Sequence, residues 1–332
     1  MMNASSTAGE QPGIQRDWSK RRLEDHISGL PIWQTRPRLE VLVGGLVNQN
    51  WVVTDGDRKY VARVFFDAEE MGVSEQSVLA TTRAASEIGV SPKLKYFEPH
   101  LTVVDFIEGR NLTEEELTDE TIVAGCMERL RALHAGTHAI RSPINYCWRF
   151  LSNRNLVRWS IDNKSPHAEE VAKMLPFLDG LEKHMRPFIP CLAHNDLAHV
   201  NVMIENSGKL WLIDWDFGAI GHPLTDLSDL LAYAPTYEEL DRYALRCYLP
   251  DDVGEEEFER RLHEYWVSLL MSYCFQYSWA AVVDFCVHIS PEEIEQSMEA
   301  NFSADEASYK GFMKMAKDRF DTTWKRYGHL FD

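Results

Sequence analysis

The chain has 332 residues, 45% hydrophobic and 26% charged, which is enough for one large domain or two lobes around a sizeable core. Its 52 acidic and 34 basic residues give a formal net charge of −18, which argues against nucleic acid as a partner and permits a cationic substrate; a solvated acidic surface is the plainer reading of the same charge. No 18-residue apolar run is present, so no membrane partner is expected, and six cysteines without a C-x-x-C pair argue against a zinc site or a disulfide framework.

Residues 1–20 read as a polar tail without the apolar core of a signal peptide, and a cytoplasmic protein is expected. From about 37 to 110, short β-like runs alternate with turn signals. "RLEVLV" (38–43) leads into Gly44-Gly45, "WVVTD" (51–55) meets "KYVARVFF" (59–66) across Asp55-Gly56-Asp57, and "LTVVDFI" (101–107) ends at Gly109. One helix, over about 74–88 and closed by Gly89, interrupts this small antiparallel sheet. After "EGRNL" the pattern turns helical, with capping-box forms at Thr113-x-x-Glu116, Thr236-x-x-Glu239, Ser290-x-x-Glu293 and Ser303-x-x-Glu306. "NVMIENSGKLWLID" (201–214) is the one hairpin signal in that stretch. The pattern predicts an α+β chain: an N-terminal β-rich lobe over 21–110 and a mainly helical lobe over 111–332. Nothing in it fixes the oligomeric state.

Directly before the hairpin, "LAHNDLAHVNV" carries His194-x-Asp196 and, five residues on, Asn201. This is the H-x-D-x-x-x-x-N spacing of kinase catalytic loops, where the aspartate accepts the attacking hydroxyl's proton and the amide oxygen coordinates a metal beside the phosphates. Paired positions in an antiparallel hairpin sum to a constant, so a turn at 206–208 sets Asn201 opposite 213 or 214. Asp214 is therefore the expected metal ligand with Asn201. Asp216, which begins a literal Asp-Phe-Gly triplet, lies about 6–7 Å further along an extended strand, on the same side.

Together with "LPIW", "VGGLVNQNWVV", "YVARVF", "GVSPKL", "DFIEGRNL", "LRALHA" and "LWLIDWDFGAIGHPLTDLSDL", these segments make the chain resemble the choline/ethanolamine kinase branch of the aminoglycoside-phosphotransferase-like kinases. The resemblance covers about residues 28–285. It implies a two-lobed protein-kinase-like fold, ATP and Mg2+ as cofactors, and transfer of phosphate to the hydroxyl of a small cationic alcohol, choline or ethanolamine first. An aminoglycoside or related acceptor keeps the same fold, and a catalytically silent ligand-binding module is the reading from another class. Intact Asp196, Asn201 and Asp214 argue against that last one.

The resemblance also distributes roles. Gly44, Gly45 and Asn48 fall where the first turn approaches the nucleotide phosphates, with a plain hairpin turn as the alternative. Arg63 takes the place of the strand lysine that holds the α- and β-phosphates, and Glu75, Glu69 or Glu70 is its carboxylate partner. Asp105 to Ile107 form the connector whose backbone reads adenine. His134 and His194 are structural, whereas His199 suits loop packing or substrate contact equally. Asp226 braces the catalytic loop, and Asp229 and Asp216 are candidates for facing the substrate. On the aromatic segment 264–285, Trp266, Tyr273 and Tyr277 share one face while Phe275 and Trp279 share another. Trp266, Tyr273, Tyr277 and Trp279 are the expected cage for a quaternary ammonium, each ring also having a core reading. Asp216 stands where the family commonly has a glutamate.

Overall fold

The computed structural model describes residues 14–42, 49–66, 73–235, 237–286 and 308–331. Gly44, Gly45, Asn48, Glu69 and Glu70, and the capping boxes that begin at Thr236, Ser290 and Ser303, lie outside the described residues.

Two units divide the chain. The first contains residues up to 67 and 94–106. Helix α1 (Lys20–Ser28) is capped by the Ser19 side chain, which accepts from the Arg22 N–H. It is followed by β1 (Arg38–Leu42), β2 (Gln49–Asp55), β3 (Arg58–Val64), β4 (Leu94–Glu98) and β5 (Leu101–Asp105), all antiparallel in the order β1-β2-β3-β5-β4. Alternation puts Trp51, Val53, Tyr60, Ala62, Val64, Leu101 and Val103 on the face that packs against Leu23 and Ile27 of α1. Arg63 points the other way from Ala62 and Val64, half-buried, in register with Asn50 and Thr102. Asp105 closes β5.

The second unit holds residues 68–93 and everything from Ile107 onward. Helix α2 (Glu75–Ile88) runs from its Ser74 cap to Gly89 within one residue of the predicted span, and its first residue is Glu75. Strand β6 (Gly109–Asn111) pairs with a later hairpin. Helices α3 (Glu120–Ala135), α4 (Arg149–Asp162), α5 (Ala168–Ala172) and α6 (Leu175–Glu182) follow. Then come β7 (Cys191–Ala193), β8 (Val202–Glu205), β9 (Leu210–Leu212) and β10 (Ala219–Gly221), and after them α7 (Pro223–Leu231), α8 (Glu238–Tyr248), α9 (Glu255–Cys286) and α10 (Tyr309–Tyr327).

The hairpin register is Val202↔Leu212 and Ile204↔Leu210, and the Ile213 N–H donates to the Asn201 carbonyl at 3.0 Å, so Asn201 faces 213 as the constant sum requires. A side chain at Gly109 would put its Cβ 2.2 Å from the Ile204 carbonyl, which is why β6 can lie this close to β8. Helix α9 is buried around most of its girth in its second half, packing Val267, Leu270, Met271 and Cys274 against Phe150 and α6.

Candidate active site

β7 and β10 pair antiparallel, Ala193 opposite Ala219, and this short ladder carries the catalytic loop at one end and the start of α7 at the other. From Ala193 the chain turns through Asn195, which adopts a left-handed φ of 59°. The backbone N–H groups of His194 and Asn195 both donate to Asp226 of α7, at 2.9 and 2.8 Å. Asp226 is fully buried, and its other partner is His134, whose Nε2 lies 2.9 Å away while its Nδ1 meets the Tyr248 hydroxyl at 2.7 Å. Burial alone would raise the Asp226 pKa; the hydrogen bond and charge of His134, with help from His194, hold it below the usual carboxylate range. His194 Nε2 bonds the Ile213 carbonyl at 2.8 Å, tying the catalytic loop to the end of the hairpin.

Asn201 Nδ2 donates to the Asp196 carbonyl at 2.7 Å, which closes the loop and leaves the amide oxygen as the atom that could coordinate a metal. Asp214 stands at a left-handed φ of 67°. The extended strand expected from the sequence ends already at Leu212, and past Asp214 the Gly218 N–H bonds the Trp215 carbonyl at 3.0 Å, a turn that contains Asp216. Asp216 reaches the site through this turn and not by strand alternation. The cause is visible in the neighbours, because Trp215 is pulled inward, its Nε1 on Ser91 Oγ at 3.0 Å and its ring 4.6 Å from His194. Gly218 is packed under α2, and a Cβ there would fall 2.5 Å from Thr81 Oγ1.

Three aspartates act electrostatically on Asp196. Burial, and after it the negative charges of Asp214 and Asp229, hold the Asp196 carboxyl well above its usual range, with Arg149 opposing and Asp216 adding. The negative charge here suits a hard cation such as Mg2+, and among the described residues no group of three or more His, Cys, Asp or Glu side chains is arranged to hold a metal ion without further donors. Asn201 and Asp214 are the residues that would hold the ion.

Asp229 is not open to a substrate on every side. Its two oxygens take Ser272 Oγ at 2.6 Å and Arg149 Nη2, and Arg149 also donates to the Asn195 carbonyl. Arg149 was not singled out from the sequence. It opens α4 in "CWRF", a segment with no motif to mark it.

The aromatic residues of α9 divide. Trp266 donates its indole N–H to Asp241 at 3.0 Å and stacks on Tyr327 with ring centroids 4.1 Å apart, so this ring belongs to the packing of α8, α9 and α10. Tyr273 is fully buried. Trp279 meets Tyr309 and Phe312 edge-on, and Tyr277 is half-buried. Phe275 faces the Arg149 guanidinium, 3.9 Å from its ring centre.

A cavity of about 390 Å³ opens in this unit, lined by Glu114, Glu115, Tyr233, Asp318, Arg319 and Thr322 with Ala234 and Pro235. Three of these are carboxylates, and Arg319 is engaged by Glu114 at 3.0 Å and by the Ala232 carbonyl at 2.7 Å. The Tyr233 ring connects this wall to the catalytic loop: His199 packs edge-on against it at 5.0 Å, and burial followed by the charges of Asp196 and Asp229 raises its phenol pKa. None of the lining residues, Tyr233 included, was among the sequence candidates. They come from the turn after β6, the end of α7 and the middle of α10, segments that only the fold brings together.

One titration follows from how α7 starts. Its cap is His222, whose Nδ1 accepts from the Leu224 N–H at 3.1 Å, beside Phe188 and Trp148. Burial, with the charges of Arg261 and His134 behind it, lowers the His222 pKa to about 3. A depressed base stabilises the fold fully above the unfolded pKa of 6.5, and that contribution is lost as pH falls from 6.5 toward 3, by up to about 5 kcal/mol. Asn caps helices without titrating. His222→Asn should therefore flatten the decline of the urea midpoint between pH 6.5 and 4, and parallel curves for the two proteins would contradict this.

The model of the phosphotransferase enzyme family matches residues 38–265, more than half of the chain. The chain belongs to this family. Among curated relatives, protein LicA of Haemophilus influenzae is 20% identical over 212 residues, covering 62% of this chain and 61% of LicA. Choline kinase B1 of Caenorhabditis elegans is 26% identical over 167 residues, 44% of each chain. The chain thus spans less than two thirds of either relative in these matches. The crystal structure of a choline kinase from Cryptosporidium parvum Iowa II has the same fold, with a TM-score of 0.66 over 90% of this chain and 91% of that one, at 17% identity. The kinase-like α+β fold and the family expected from the motifs agree with these likenesses, and no described helix is long and apolar enough to cross a membrane.

Proposed function

We propose that the protein is an ATP- and Mg2+-dependent kinase that phosphorylates the hydroxyl of a small cationic amino alcohol, choline or ethanolamine. The observation that carries this reading is the adjacency of two features: the Asp196, Asn201 and Asp214 group, and a cavity whose lining is acidic and whose Tyr233 wall lies within reach of the Asp196 charge. Asp196 orients the acceptor hydroxyl and accepts its proton as the hydroxyl oxygen bonds to the γ-phosphorus, the bond from that phosphorus to the bridging oxygen breaks, and ADP leaves. The carboxylates of the cavity attract an ammonium group and set the alcohol in front of Asp196. Bound by Asn201 and Asp214, Mg2+ would supply charge neutralisation for the phosphates. Arg63 and the segment with Gly44, Gly45 and Asn48 hold the nucleotide in this reading, and the backbone from Asp105 to Ile107 takes the adenine. The choline kinases among the relatives support the choice of acceptor.

One observation favours a second acceptor class. Tyr233 is the single ring among the described lining residues, against three carboxylates, and carboxylates accept hydrogen bonds from N–H groups that a quaternary ammonium lacks. An aminoglycoside or another polyamino alcohol is the second reading. ADP release measured across choline, ethanolamine and a set of aminoglycosides separates them. The primary reading expects turnover with choline or ethanolamine; turnover with aminoglycosides alone would replace it by the second.

A further inference from the structure

We propose that Arg149 is a positioning residue for phosphoryl transfer, holding the peptide that precedes Asp196; this rests on the kinase reading above. The Asn195–Asp196 peptide is a rigid plane, so fixing its carbonyl oxygen fixes the direction in which Asp196 leaves it. Asp226 holds the other side of Asn195 through its N–H, at 2.8 Å, and the Asn195 side chain donates to the Phe217 carbonyl at 3.2 Å. The Asn195 carbonyl is taken by Arg149 Nη2. Residue 195 is left-handed, a conformation that asparagine tolerates, and its N–H, side chain and carbonyl are each held by a different partner.

Arg149 is itself held in place. It is 4% exposed, its guanidinium lies on the face of Phe275 at 3.9 Å, and the same Nη2 pairs with Asp229, whose second oxygen is fixed by Ser272. Helices α4, α7 and α9 therefore meet at one nitrogen, and that nitrogen holds the catalytic loop. A lysine keeps the charge but loses the planar stacking on Phe275 and the fixed directions of the N–H bonds.

The test is the split between kcat and KM. Arg149→Met alone leaves Asp229 buried without its cation, which endangers folding. The double variant Arg149→Met with Asp229→Asn removes both charges, keeps the Ser272 bond and still lacks the donor to Asn195. Its kcat should fall about 100-fold, the cost of misplacing a reacting group by about 1 Å, with KM for ATP and acceptor unchanged. Arg149→Lys should retain an intermediate kcat, again at unchanged KM. A double variant with wild-type kcat, or a loss confined to KM in both variants, would overturn the proposal. Absence of turnover by the wild-type protein with every acceptor overturns the kinase reading itself, a result distinct from either.

Discussion

Asp196→Asn should lower acceptor-dependent ATP turnover by about 10³-fold, within the range a positioned general base contributes. The substitution is nearly isosteric, and the contacts that shape the loop run through backbone atoms: Asn201 donates to the Asp196 carbonyl, and Asp226 receives the N–H groups of His194 and Asn195. Loop geometry should therefore survive, and the loss should appear in kcat with acceptor KM little changed. Burial and the surrounding carboxylates keep Asp196 protonated more readily than an ordinary aspartate, so the state that accepts a proton depends on positive charge nearby. A variant with wild-type turnover would remove Asp196 from the chemistry.

The second large effect separates two aspartates that sit one residue apart. Asp214→Asn should reduce Mg2+-dependent turnover by about 10³-fold or more, because in the proposed mechanism it removes an anionic metal ligand. Asparagine tolerates the left-handed backbone at 214 as aspartate does, so the effect isolates the charge. Asp216→Asn, in the turn closed by Gly218, should instead raise acceptor KM while leaving the Mg2+ concentration dependence close to wild type. The reverse pattern would make the literal Asp-Phe-Gly aspartate the metal ligand. Titrating Mg2+ at saturating ATP for both variants reads the difference directly.

The hairpin shows what periodicity can deliver. Its turn and its paired positions were legible because a two-strand register has one free constant, and that constant set Asn201 against 213 or 214, of which the structure takes 213. The next two residues were not legible. The apolar pattern suggests a strand that continues past Leu212, whereas Trp215 turns inward to Ser91 and the chain bends. The tryptophan's burial was a tertiary fact with no local signature.

Helix α9 failed as a guide for a related reason. Face assignments assume a polar side, and the second half of this helix, from Tyr265 to Val283, is buried almost all round. Ring spacing there could not tell that Trp266 serves Asp241 and Tyr327 while Phe275 serves Arg149. Arg149 and the acidic lining of the cavity were missed because their partners are remote in sequence: Asn195 and Asp229 for the first, α10 for the second. Asp226 was legible by resemblance, and its contacts give the physical content: one buried carboxylate takes two consecutive loop N–H groups and a histidine.

The most direct test follows the phosphoryl group. Purified protein is incubated with γ-labelled ATP, Mg2+ and either choline or ethanolamine, and the products are separated. Label should appear in the phosphoester of the alcohol, faster than in inorganic phosphate, and should vanish from it with Asp196→Asn. Label that remains in ATP, or passes only to inorganic phosphate at a rate indifferent to the alcohol, would contradict the assignment of an amino-alcohol kinase.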